Sequence, residues 1–61
     1  MPTELLTPPQ VAQTLTVSTS TLSEWRYLRK GPAYVKQGRI VRYPADALAA
    51  WIADNTVTAD A

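Results

Sequence analysis

Six side chains of this sequence carry positive charge: Arg26, Arg29, Lys30, Lys36, Arg39 and Arg42, all within residues 26–42. No acid interrupts them. Glu4 and Glu24 precede that window, and Asp46, Asp54 and Asp60 follow it. Cations gathered in one segment make a surface suited to a polyanion. The bland alternative is a solvated basic loop between acidic helices. Net charge over all 61 residues is only +1, so placement rather than total carries the signal.

Other chemistry finds little material. The chain has no cysteine and no histidine, which removes disulfides, thiolate chemistry and the commonest general base and zinc ligand. Its carboxylates are dispersed, no glycine-rich phosphate loop is present, and no metal-ligand spacing occurs. Neither catalysis nor a metal or other cofactor is expected. No apolar run nears the roughly 18 to 20 residues of a membrane span. Residues 1–7 lack the basic and apolar regions of a secretory signal, so a soluble, cytoplasmic location is the expectation.

The elements that must hold the cations follow from local signals. Thr7 can cap a helix, Pro8 suits its first position, and Gln10 completes a capping box. Leu6 and Val11 are spaced as a hydrophobic staple, and Val11, Ala12 and Leu15 make one apolar stripe. A break at Thr16-Val17 leads to a second start, with Ser18 as cap and Val17 and Leu22 as its staple. Leu22, Trp25 and Leu28 recur at helical spacing, and Gly31-Pro32 is read as the stop. On a helical wheel Ser18, Leu22, Trp25 and Arg29 turn inward, with Thr21 and Leu28 at the edge. Thr19, Ser20, Ser23, Glu24 and Tyr27 turn outward, with Arg26 on the flank. Serine and threonine are poor helix formers for a plain solvent face, so a use for these hydroxyls is implied.

Gln37-Gly38 signals a β-hairpin turn, glycine supplying a positive φ. The register stays open between a two-residue and a longer loop. On the longer-loop reading Val35, Val41 and Tyr43 face the core, while Lys36 and Arg42 point out. Pro44 opens a third helix with Asp46 in its first turn, and Leu48, Trp51 and Ile52 are spaced to bury together. One domain over residues 5–54 is expected, with residues 1–4 and 55–61 as flexible ends. The fold class is mainly α with a small β-hairpin. Trp25 and Trp51 lie in apolar stripes and are read as core rather than as stacking platforms.

Two short helices joined by a tight turn form a helix-turn-helix, which places its second helix in the DNA major groove. Ser18, at the amide end of that helix, marks an anion site. Thr19, Ser20, Ser23 and Tyr27 are then available to bases or phosphates. Arg26 suits guanine or a phosphate, and Glu24 suits a cytosine amine. Lys30 and the hairpin residues Lys36, Gln37, Gly38, Arg39 and Arg42 complete the candidate contact set. The competing reading is a small helical bundle whose polar face meets only water.

"LLTPPQVAQTLTVSTSTLSEWR" followed by "GPAYVKQGRIVRYPADALAAWI" resembles the MerR-like winged helix-turn-helix domains of small excisionases, over residues 5–53. The resemblance implies that the second helix recognises the major groove and that the hairpin is a wing entering the adjacent minor groove. By position, Arg39 at the tip would insert, Lys36 would clamp phosphate, and Arg42 would clamp phosphate or brace the wing. Where Thr19 stands the family often has arginine, which lowers the positive charge of the first turn here. Excisionases, or recombination directionality factors, bind and bend attachment-site DNA in several copies and help a phage integrase toward excision. The partners so implied are double-stranded DNA, further copies of the chain and an integrase, in the nucleoid of a bacterial host cell. The other members are transcriptional regulators.

Overall fold

The structure, a computed structural model, describes residues 4–57. Its elements are β1 (Leu5–Leu6), α1 (Pro8–Leu15), α2 (Thr19–Tyr27), β2 (Val35–Gln37), β3 (Ile40–Pro44) and α3 (Ala45–Asp54). The strands form one antiparallel sheet in the order β1-β3-β2. This is a winged helix-turn-helix, mainly helical, with the β2–β3 hairpin as the wing. The third strand, β1, was not expected: the two leucines before α1 pair with Tyr43 and Pro44. A two-residue strand is too short for alternation to announce it.

Both helices of the turn motif begin as their sequences dictate. Thr7 and Gln10 form a reciprocal capping box, with Thr7 N donating to Gln10 Oε1 at 2.8 Å and Gln10 N to Thr7 Oγ1 at 3.3 Å. Ser18 Oγ accepts from Thr21 N at 3.0 Å. Both helices also end alike. Thr16 takes a left-handed φ of 59°, letting Val17 N bond Ala12 O at 2.9 Å. Arg29 takes the same φ of 59°, letting Lys30 N bond Trp25 O at 2.9 Å. These six-to-one bonds are those of the Schellman motif, which normally recruits glycine.

The second of these ends corrects two expectations. Gly31 is not the stop: α2 finishes at Tyr27, and the left-handed residue is Arg29. Arg29 therefore leaves the helical wheel and is exposed, not inward, and Leu28 at the cap is 51% exposed. Gly31 serves packing instead. At φ 89° it lies against Trp25, where an added Cβ would come within 2.8 Å of ring atom Cε3.

The hairpin closes with Gln37 opposite Ile40, leaving Gly38 and Arg39 as a two-residue loop. Gly38 has φ 59° while Arg39 does not enter the positive region, the combination a type II′ turn uses. Lys36 lies opposite Val41 and Val35 opposite Arg42. Opposed residues share a face, so the longer-loop reading fails at Val35 and Lys36. Val35 shares the outer face with Arg42 and is 49% exposed, while Lys36 shares the inner face with Val41. One residue of slip exchanges the two faces of a strand.

The core is Val11, Ala12, Leu22, Tyr43 and Leu48, with Leu6, Leu15, Val17, Trp25 and Val41 packed around it. Tyr43, at 1% exposure, is the largest wholly buried side chain. The tryptophans are half-buried rather than central: Trp25 and Trp51 meet at 5.6 Å with rings tilted by 42°, tying α3 to α2. Of the α3 residues spaced to bury, Leu48 is buried, Trp51 half-buried and Ile52 exposed. Pro44 is the N-cap of α3 without a side-chain bond, and Ala45 N instead donates to Glu4 O at 2.7 Å. At the other end, Asn55 Nδ2 and Thr56 Oγ1 donate to Trp51 O and Ile52 O at 2.8 and 2.6 Å. Within the ends expected to be flexible, residues 1–3 and 58–61 lie outside the described part.

Candidate nucleic-acid interface

The residues singled out for charge and polarity fall on three surfaces. Thr19, Ser20, Ser23 and Glu24 are exposed along the first turns of α2. Ser18 is exposed too, but its Oγ is engaged by Thr21 N and lies 2.9 Å from Thr21 Oγ1, so it acts first as a cap. At the end of the helix Tyr27 is 86% exposed, the most open aromatic ring among the described residues. Nothing in the core claims it.

The second surface is a concavity between α2 and the wing. Ser23, Arg26 and Tyr27 form one wall, and Lys36, Gly38, Arg39 and Val41 form the other, with Tyr34 also lining it. It is continuous with a second hollow under the α2 terminus. That hollow is lined by Arg29, Lys30 and the Gly31–Tyr34 loop and shares Arg26, Tyr27 and Tyr34 with the first. The wing register explains the arrangement: Lys36 reaches the groove because it shares the inner sheet face with Val41. The Schellman ending of α2 turns Arg29 and Lys30 out of the helix to line the second hollow.

Five of the six basic residues thus line one continuous hollow surface. Arg42 is the exception. It lies on the outer sheet face with Gln37, and its Nη1 donates to Val41 O at 2.7 Å. Arg26 is not a free cation either: Nη1 donates to Tyr43 Oη at 2.7 Å, and its guanidinium carbon lies 5.8 Å from the Tyr34 ring centroid.

Among the groove residues outside the candidate set, Arg29 and Tyr34 are the two with polar side chains. Arg29 was assigned inward by extending the 3.6-residue period past the point where α2 ends. The run of charge through residues 26–42 was the signal that could have kept it. Tyr34 lies outside that set, yet it is 38% exposed and lines both hollows. Its ring lies 6.0 Å from that of Tyr43.

Among the described residues, no cluster of histidine, cysteine and acidic side chains suits a metal ion. No helix there is long and apolar enough to cross a membrane. No curated protein and no solved structure matches the chain. A family model described as a helix-turn-helix domain matches residues 5–56, from β1 through the end of α3. Its span contains the two capped helices, the wing and the basic concavity between them. With most of its length inside that match, the chain belongs to this helix-turn-helix family, and what it carries is a DNA-binding domain.

Proposed function

We propose that the protein is an excisionase, a recombination directionality factor that binds and bends attachment-site DNA to assist a phage integrase. The observation that carries the DNA geometry is the continuous basic hollow between α2 and the wing. An α-helix with its side chains is about 10–12 Å across, which matches the roughly 12 Å width of a B-form major groove and lets the nine residues of α2 enter it. With α2 seated there, Thr19, Ser20, Ser23 and Glu24 face base edges, and Glu24 selects a cytosine amine over a phosphate. The DNA strand between major and minor grooves then runs through the hollow. Arg29, Lys30 and Lys36 meet its phosphates as charged donors, and the Tyr27 and Tyr34 hydroxyls are in range to add neutral ones. Arg39, projecting from the turn beyond Gly38, enters the minor groove, where narrow A·T-rich segments concentrate negative potential.

The excisionase assignment rests on the resemblance of residues 5–53 and on a family that includes excisionase-like proteins. Several copies bound side by side would accumulate the bend that a recombination complex needs. An integrase recombination assay on attachment-site DNA tests this role. Stimulated excision or suppressed integration supports it. No effect on either, with operator binding intact, assigns the domain to transcriptional regulation instead.

A further inference from the structure

We propose that Arg26 is a positioning residue whose job is to lock the wing to α2, with the Tyr43 hydroxyl as its anchor. This rests on the DNA-binding reading above but reassigns Arg26 from reading bases to holding two contact elements in register. The backbone of α2 packs closely on α1, whereas β3 is held by its neighbouring strands, α1 and α3. Direct connection between α2 and the wing therefore falls to side chains: Leu22 and Trp25 share the core with Tyr43 and Val41, and Arg26 adds the directional contact, a hydrogen bond that crosses to β3. Its Nη1 donates over 2.7 Å to a tyrosine seventeen residues away in sequence. That tyrosine is 1% exposed, so its ring cannot yield without disturbing the core, and its hydroxyl needs a partner. The guanidinium also lies over Tyr34, which packs on Tyr43. An arginine held by an aromatic face and a buried oxygen has few rotamers left, which makes it a poor candidate for searching base edges.

The consequence is for how the two contacts add. When helix and wing are fixed relative to each other, binding by one presents the other at high effective concentration. When the link is cut, the wing must be ordered at the moment of binding and contributes less. Tyr43→Phe removes only the hydroxyl, and Arg26→Lys keeps the charge while losing the planar fork. Both are expected to weaken duplex binding by about threefold to tenfold, measured where circular dichroism shows each variant fully folded. In the Tyr43→Phe background, Arg39→Ala is expected to cost at least about threefold less affinity than it does in the parent.

Two readouts keep the strut separable from DNA binding itself. In the free protein, residual dipolar couplings of α2 and of the β2–β3 hairpin are expected to fit one alignment tensor, and to need two in Tyr43→Phe. If one tensor still suffices in the variant, the strut idea is overturned whatever the protein does with DNA. If the parent binds duplex DNA but Arg39→Ala and Tyr43→Phe are additive within about twofold, the coupling fails while the DNA reading stands. If Arg26→Lys binds like the parent while Tyr43→Phe also does, Arg26 acts by charge alone and the proposal is wrong.

Discussion

Replacing Gly31 and, separately, Gly38 by alanine applies one chemical change to two very different sites. Both glycines have positive φ, 89° and 59°, so each alanine carries the left-handed penalty of about 1–2 kcal/mol. At Gly38 that is the whole cost, because an added Cβ meets nothing within 4 Å. At Gly31 the same carbon would stand 2.8 Å from Trp25 Cε3 and 3.3 Å from Trp25 Cβ. The ring has little room to retreat, with Trp51 paired to it at 5.6 Å. Overpacking of this kind adds about 1–3 kcal/mol. Gly31→Ala is therefore expected to cost about 2–5 kcal/mol and Gly38→Ala about 1–2. A domain of this size holds only about 3–9 kcal/mol in all. Urea unfolding followed by tryptophan fluorescence measures both, since the ring that must shift is a reporter. Equal midpoint shifts for the two variants, or a Gly31→Ala within about 0.5 kcal/mol of the parent, would mean that Trp25 does not crowd position 31.

Three further outcomes follow from the same geometry. Thr16 is β-branched yet sits at φ 59°, so Thr16→Gly is expected to stabilise the domain by about 1 kcal/mol despite the entropy of glycine; thermal unfolding checks it, and a lower midpoint contradicts the cap geometry. Val35 lies on the outer sheet face, so Val35→Thr is expected to change stability by less than about 0.5 kcal/mol. A loss above about 1.5 kcal/mol in chemical denaturation would place it in the core and the register would be wrong. Arg39→Ala is expected to weaken binding chiefly to duplexes with A·T-rich wing sites; equal loss on A·T-rich and G·C-rich duplexes would remove Arg39 from the minor groove.

How much of this was legible beforehand depends on whether the deciding interaction was local. The starts of α1 and α2 are set by Thr7, Gln10 and Ser18 acting on residues three positions away, and all three do what their types indicate. The end of α2 was harder. Gly31 is the obvious stop, but it is taken by the close approach of Trp25, and Arg29 carries the left-handed turn. That displacement of two residues moved Arg29 from the core side of a wheel into the groove. The wing register was likewise beyond local reading, because Gln37-Gly38 and Gly38-Arg39 both make plausible turns. Pairing of β3 with β1 and packing of Tyr43 into the core decide it. Arg26 shows the same limit at the candidate site. Its type and flank position suit a base contact, and only the fold brings Tyr43 Oη within 2.7 Å of it.

Phosphate binding by the hollow between α2 and the wing is what the proposed function stands on. The dependence of affinity on salt measures it most directly. Arg26, Arg29, Lys30, Lys36 and Arg39 line that surface. With Arg26 held by Tyr43, the other four displace counterions at about four phosphates, a log–log slope of about −3 to −4 per protomer. Removing Arg29 and Lys30 together is expected to reduce its magnitude by about 2, whereas Arg42→Ala, on the opposite sheet face, is expected to leave it unchanged. A flat salt response, or no complex with duplex DNA at micromolar protein, would mean that this surface does not bind the phosphate backbone.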